Sequence, residues 1–305
     1  MTQTALDVLA ESRFIVVGTA RNVAATISSE INTLTKSLIN AKSLDFFIVE
    51  SDSNDRTIET LHALSNTHQH FNYVSLGRLQ STIPSRIERI AHSRNVYLDY
   101  VKQRANDFDF VIVVDLDGVN KLISERTILT CFENLDWGGC MANQLGPYYD
   151  VYALRANGWC ESNCWEKAKE LVGSGTHPLK AWRIAIRDKQ KIIKNSSPWI
   201  RVDSAFGGFA IYKVEAFIQG YYSTSTIGEK DVSEHVPFNK VLTSKGWSLF
   251  INPALINFNY NEHNDFHRLS RRIKYAIKYF FSAFFPNFFI RNFMPELSAA
   301  GKVNK

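Results

Sequence analysis

Three short apolar runs in the first 120 residues each stop at a cluster of polar residues, and nothing else constrains the fold of this chain as strongly. Residues 14–18 (FIVVG) lead into Thr19-Ala20-Arg21-Asn22. Residues 45–50 (DFFIVE) lead into Ser51-Asp52-Ser53-Asn54-Asp55, and residues 109–114 (DFVIVV) end at Asp115-Leu116-Asp117. Short runs of Val, Ile and Phe bounded by Gly or polar residues read as buried strands. Between them the apolar positions take helical spacing. Val23, Ile27, Ile31, Leu34 and Leu38 mark a helix over 23–40, and a second runs from about 56 to 65. Ile87, Ile90, Ala91, Tyr97, Leu98 and Val101 mark a third over 84–104, after a short strand at 72–76.

Alternating strands and helices predict an α/β fold with a mixed, mostly parallel sheet flanked by helices. In such sheets ligands bind beyond the carboxyl ends of the strands. Thr19, Arg21, Asn22, Glu50, Asp52 and Asp115 all fall there, so three strand ends carry polar groups suited to one ligand. The second half is less regular. Residues 161–195 read as helical and basic, an insertion or acceptor-side element. Residues 204–213 combine a Gly pair with a strand, and 247–258 are a further strand and turn. Residues 268–294 form a basic, aromatic tail.

Composition narrows the class. With 45% hydrophobic and 21% charged residues among 305, the chain is globular rather than collagen-like or disordered. Its net charge of +5 is too small and too dispersed to make nucleic acid the main partner. Residues 1–13 carry acids early and lack the apolar core of a signal peptide. No stretch reaches the roughly 18–20 apolar residues of a spanning helix. Cys131, Cys140, Cys160 and Cys164 show no paired CxxC pattern, which predicts reduced thiols and a cytoplasmic chain; a Cys160–Cys164 disulfide is the alternative.

Several constellations carry chemistry. Asp115-Leu116-Asp117 places two carboxylates at a strand end, where hard oxygen ligands suit Mg²⁺ or Mn²⁺ bridging to a diphosphate. The bland account is a turn, since Asp117-Gly118 is a turn signal. Glu50 and Asp52 are placed to hold the base and ribose of a nucleotide. Helix capping accounts for Ser53 or Asp55 but not for those two carboxylates. Arg86, Ile90 and Arg94 recur at i, i+4 and i+8, one stripe whose guanidinium groups suit phosphate; otherwise it is a solvated basic face. Gly207 and Gly208 allow a ligand close to the backbone, or make a tight bend. Glu234 and Asp203 are the candidate catalytic carboxylates, Glu234 as a general base. His235 and His263 are candidates to complete a metal shell. Basic residues beside Phe and Tyr at 268–294 are what anchoring to an anionic membrane surface needs; the alternative is a packed C-terminal helix.

Together these features resemble a GT-A glycosyltransferase, over roughly residues 13–258. The matching elements, in order, are the first strand with Arg21-Asn22, the 50–57 loop, the 86–95 helix, Asp115-Leu116-Asp117, Phe206-Gly207-Gly208 and Glu234-His235. Tyr149-Asp150-Val151-Tyr152-Ala153-Leu154-Arg155 is also similar to a D-x-[WY]-A-x-R element of capsule-type α-1,3-mannosyltransferases and bacterial surface-polysaccharide transferases. The resemblance implies a nucleotide-sugar donor, UDP- or GDP-hexose, a divalent metal and hexosyl transfer to a hydroxyl of a lipopolysaccharide, O-antigen or capsule glycan. It implies Asp117 as the direct metal ligand and Asp115 beside it. Glu50 and Asp52 would face the nucleoside, Arg86 and Arg94 the diphosphate, and Gly207 and Gly208 the sugar cleft. Ser-Glu-His at 233–235, in place of the common Glu-Asp, favours a retaining reaction with Glu234-His235 orienting acceptor or metal.

On this reading residues 1–265 form a GT-A catalytic domain, with a nucleotide-binding half at 13–120 and an acceptor-side half at 121–265. Residues 266–305 form an amphipathic helical tail that places the protein peripherally at the cytoplasmic face of the inner membrane, with a lipid-linked acceptor. Two competing readings are a nucleotidyltransferase that makes a nucleotide sugar and a non-catalytic glycan- or lipid-binding scaffold. The GTARN loop, with one Gly and one Arg, is poor in what a triphosphate-binding loop needs. The intact Asp115/Asp117 pair counts against the scaffold.

Overall fold

The computed structural model describes residues 3–259. His263 and the 268–294 tail, both singled out above, lie outside the described residues.

The first half alternates as the sequence predicts. Strand β1 (Arg13–Ala20) is followed by α2 (Ile27–Ser37), β2 (Ser43–Glu50), α3 (Thr57–Thr67), β3 (Phe71–Ser75), α4 (Arg86–Gln103) and β4 (Phe110–Asp115), with α1 (Gln3–Glu11) ahead of β1. The expected spans hold to within a few residues. β1 and β4 are buried on both faces because a parallel strand in mid-sheet has helices above and below it. Helix α4 begins at Ser85, whose hydroxyl accepts the Glu88 N–H. Its buried face includes Arg89 and Arg94 beside Ala91, Tyr97, Leu98 and Val101. Arginine on a buried helical stripe needs partners, and these lie in the cavity described below.

The second half adds α5 (Glu125–Leu129), β5 (Gly139–Gln144), α6 (Cys164–Gly173), α7 (Pro178–Ala185), β6 (Ile200–Val202), β7 (Phe209–Lys213), α8 (Val214–Phe217), α9 (His235–Ser244) and β8 (Leu249–Phe258). All eight strands join one sheet in the order β3-β2-β1-β4-β7-β5-β8-β6. The β3-β2, β2-β1, β1-β4 and β5-β8 pairs are parallel; β4-β7, β7-β5 and β8-β6 are antiparallel. The sheet is therefore mixed and mostly parallel. A large apolar cluster covers each face. Ile15 and Val17 of β1 point into one, and Phe14 and Val16 into the other.

The structure departs from the sequence reading in the second half. The 161–195 stretch, read as helical, is two short helices and a 3₁₀ turn. Strand β5 (GCMANQ) has no β-branched residue to mark it. It is a strand because its neighbours close on it: a Cβ on Gly139 would sit 2.8 Å from Leu249 and 2.9 Å from Tyr212. Helix α9 starts at His235 with Pro237 in its first turn, where a missing N–H costs nothing. The four cysteines are free. Among the described residues no helix is long and apolar enough to cross a membrane.

Candidate functional site

The ends of β1, β2 and β4 open on a cavity of about 320 Å³, closed on its far side by α4, the loop after β5 and the start of α9. Thr19, Arg21, Asp52, Arg86, Arg94, Asp115, Asp117, Glu234 and His235 line it, so the structure brings nine of the fifteen sequence candidates together.

The Asp115–Asp117 turn is held through its backbone. Asn120 Nδ2 donates to the Asp115 carbonyl at 2.7 Å, Thr26 Oγ1 to the Leu116 carbonyl at 2.8 Å, and the Asp115 N–H to the Gly208 carbonyl at 2.9 Å. Asn120 also donates to buried Glu30 at 2.7 Å, which fixes it. The carboxylates are thus directed into the cavity while the main chain does the anchoring. The Asp115 side chain is 34% exposed, into the cavity rather than to bulk solvent. Its pKa is pushed up to about 7 by burial; Arg94 opposes this, and the carboxylates of Asp117, Asp150 and Glu234 add to it.

Arg94 is the centre of the buried wall. Its Nε donates to Glu234 Oε1 at 2.7 Å, Nη1 to the Tyr97 hydroxyl at 2.9 Å and Nη2 to Asp115 Oδ1 at 3.3 Å. The guanidinium lies 5.2 Å from the Phe206 ring centroid and 5.8 Å from that of Tyr222. His235 stacks on Phe206 at 3.8 Å, with Nε2 3.5 Å from Glu234 Oε1. Burial, helped by the Arg94 charge, drives its pKa well below the usual imidazole value, so the ring is neutral. Arg94 is therefore already engaged by protein groups.

The same holds for Asp52. Its Oδ1 accepts the Gln80 N–H at 2.9 Å, and its Oδ2 lies 3.1 Å from Arg89 Nε in a buried pair. Asp52 takes a positive φ of 57° to reach that position. Glu50 is buried and turned inward: it accepts the Ser53 N–H at 2.9 Å and the Ser75 hydroxyl, which order the loop after β2. Asn22, at φ 54°, faces the same loop through Ser53 and Asn54. Glu50 and Asn22 shape the cavity rim without lining it.

Gly207 and Gly208, at φ 72° and 84°, also lie behind the lining. A Cβ on Gly207 would meet the Ala142 carbonyl at 2.9 Å, and one on Gly208 would meet Val119 at 2.9 Å and the Tyr149 hydroxyl at 3.0 Å. The Gly207 N–H donates to Asp150 Oδ2 at 3.0 Å. The glycine pair thus joins the Asp115 turn to Asp150. Asp203 is exposed, away from the lining, with its N–H on the Arg155 carbonyl at 2.8 Å.

Arg86 and Arg21 are different. Both are exposed, both line the cavity, and neither side chain has a partner among the described residues. They are the cations left over for a ligand. Sequence reasoning did not select Asp150, Tyr149, Tyr152, Phe206, Ser233 or Arg89, all of which line the cavity. Asp150, Tyr149 and Tyr152 belong to the 149–155 element and were in that sense within reach. Arg89 sits one turn from Arg86 at i+3, the other spacing that shares a helix face.

Among the described residues no group of three or more His, Cys, Asp or Glu is placed to hold a metal ion. The Asp115/Asp117 pair still fits one. A divalent cation that keeps water and substrate phosphates needs only one or two carboxylates. Burial raises the Asp115 pKa most, and the carboxylates of Asp117, Asp150 and Glu234 that add to it are charges a cation there would offset.

No family model and no curated protein matches the sequence. Solved structures do match in fold. A mannosyltransferase from Pyrobaculum calidifontis, PcManGT, in complex with GDP-mannose and Mn²⁺, aligns over 90% of this chain and 64% of its own, at 15% identity and a TM-score of 0.50. Residues 1–349 of Staphylococcus aureus TarS align over 78% and 57%, at 12% identity and 0.43. The UDP complex of glucosyl-3-phosphoglycerate synthase from Mycobacterium tuberculosis aligns over 91% and 81%, at 14% and 0.43. The chain spans less than two thirds of the length of the first two. At these identities the likeness is one of fold, and it rests on the first of the three.

Proposed function

We propose, from the GT-A fold that this chain shares with PcManGT, that it is a metal-dependent glycosyltransferase moving a hexose from a nucleoside-diphosphate sugar to a glycan hydroxyl. One observation carries the reading. A single cavity gathers the Asp115/Asp117 carboxylates, two arginines without partners among the described residues and a buried wall of fixed polar groups. Such a cavity is built for a ligand that is anionic at one end and polyhydroxylic at the other.

Asp115 and Asp117 would hold Mn²⁺ or Mg²⁺, whose charge, when bound, stabilises the departing diphosphate. Arg86 and Arg21 bind the diphosphate; Arg94 gives three of its five N–H donors to Glu234, Tyr97 and Asp115 and serves chiefly to hold the wall. Asp52, immobilised by Arg89, faces the nucleoside. Glu234 is tied to Arg94 in a buried charged hydrogen bond, which suits a positioning role and a retaining course. In that course the bond from the anomeric carbon to the phosphate oxygen breaks. The acceptor oxygen then bonds to the same face, and its proton passes to the departing phosphate oxygen. Glu234 and Asp150 orient the acceptor. The acceptor is the hydroxyl of a lipid-linked surface glycan, and the basic 268–294 stretch, outside the described residues, keeps the enzyme at the membrane.

The test is a thermal-shift series with UDP, GDP, CMP and dTDP, each with and without Mn²⁺. Binding to the folded state alone raises the melting temperature by mass action. The expected result is a metal-dependent rise with UDP or GDP that Asp117→Ala removes while its own melting temperature stays within about 2 °C of wild type. No shift with any diphosphate would overturn the donor site. An inverted product anomer would overturn the retaining course alone.

A further inference from the structure

The chain carries its positive charge unevenly. Between residues 178 and 201 there are seven basic side chains and one acid, a net +6 in a chain whose total is +5. The cavity uses none of them.

Helix α7 buries Pro178, Leu179, Ala181 and Ala185. Lys180, Arg183 and Ile184 stand on the opposite face, and Arg187 in the following turn extends the stripe at i, i+3, i+4 and i+7. The chain then continues with Lys191, Ile192 and Lys194 exposed while Ile193 is buried. Ile184 is 36% and Ile192 59% exposed, each flanked by lysine or arginine. The acid, Asp188, lies 3.6 Å from Arg183 and 3.5 Å from Arg187, so it offsets a single charge. Isolated exposed isoleucines set among cations fit a surface that offers anionic head groups with an apolar layer beneath them.

This segment is also stitched to the cavity wall. Gln190 Nε2 donates to the Tyr149 carbonyl at 3.3 Å, the Tyr148 N–H donates to the Lys191 carbonyl at 2.8 Å, and Ile192 bridges to Pro147. Tyr149 and Asp150 line the cavity.

We propose that the 180–194 surface docks on the anionic lipid head groups of a bilayer and brings the Tyr149–Asp150 side of the cavity to the membrane plane. The docking stands on charge and exposure. Its use, the presentation of a lipid-borne acceptor, rests on the glycosyltransferase reading.

The experiment is sedimentation of the full chain with phosphatidylcholine vesicles and with vesicles that also contain anionic phosphatidylglycerol, whose negative surface potential attracts basic segments. Wild type binds the anionic vesicles, more weakly as salt rises. Lys180→Glu, Arg183→Glu, Lys191→Glu and Lys194→Glu together weaken that binding by about tenfold or more, since each cation near the surface contributes on the order of 1 kcal/mol. Ile184→Ser with Ile192→Ser gives a smaller loss that salt does not change. A control quadruple on exposed sites elsewhere, Lys36→Glu, Lys42→Glu, Lys102→Glu and Arg126→Glu, makes the same change in net charge and retains binding. The 268–294 segment is present in every variant, so its contribution is common to all. Unchanged binding of the first quadruple, or an equal loss in the control, would overturn the proposal. The readout needs no turnover, so a failed transfer assay leaves it intact.

Discussion

The two sides of the cavity are built on opposite principles. At the open side, Arg21 and Arg86 reach it exposed and without partners among the described residues. At the closed side, Arg94, Glu234 and His235 are buried and packed between Phe206 and Tyr222. The open side keeps its charge for a ligand and contributes little to folding. The closed side places a guanidinium and a carboxylate out of water, where each depends on the other. Stability and binding should therefore respond separately to mutation, depending on which side is changed.

The largest effect should come from breaking the buried pair. Glu234→Ala leaves Arg94 with one fewer acceptor at 4% side-chain exposure and should cost about 3–5 kcal/mol. Urea denaturation checks this, and the double variant Arg94→Met/Glu234→Leu should recover much of the loss. A single variant as stable as wild type would break the comparison from the closed side.

Arg86→Ala should do the reverse. Its stability should stay within about 0.5 kcal/mol of wild type. Its affinity for a nucleoside diphosphate, measured by calorimetry, should fall roughly 10- to 100-fold, the loss of a charged hydrogen bond of about 1.5–3 kcal/mol. An equal loss from Arg94→Lys with no loss from Arg86→Ala would reverse the assignment of the two arginines.

The seam between the sides is Gly208. Gly208→Ala forces a side chain into the left-handed region and against Val119, at a cost of about 1–3 kcal/mol. Because the Gly208 carbonyl accepts the Asp115 N–H, the same change should weaken metal-dependent nucleotide binding, whereas a purely structural glycine would leave it unaltered.

The smallest effect belongs to a pair far from the cavity. Arg13 and Asp109 meet at 2.9 Å where β1 and β4 begin, both about one-third exposed. The hydrogen bond from Arg13 holds the Asp109 pKa below the usual carboxylate value. Its contribution, small for an exposed and solvent-screened pair, is complete above the unfolded pKa near 4. It is lost as pH falls through the lower folded value. Asp109→Asn should therefore be destabilised at pH 7 and nearly equal to wild type at pH 2, by urea titration at the two pH values.

The open side was the more legible in the sequence. Arg21, Arg86, Asp115 and Asp117 sit at strand ends or on the first turn of a helix, and local patterns reach that far. Arg94 was also picked out, as a diphosphate contact, and Glu234 as a catalytic carboxylate, because nothing within either segment reveals that they bind each other. Glu50 was read as a ligand contact for the same reason; its partners Ser53 and Ser75 meet it only once β2 and β3 pair. β5 escaped notice because its strand character lies in the packing of Tyr212 and Leu249 against a glycine, not in its own residues.

The sequence alone determined the parallel half of the sheet, since buried β-branched strands and amphipathic helices are periodic and local. It determined as well that polar groups would stand at the strand ends. Tertiary structure decided which charges remain available. Arg94 and Glu234 are 140 residues apart and Arg89 and Asp52 lie on different elements. A buried cation is neutralised by whatever carboxylate the fold brings within about 3 Å, so only the assembled sheet separates the arginines that hold the protein together from those left to hold a ligand.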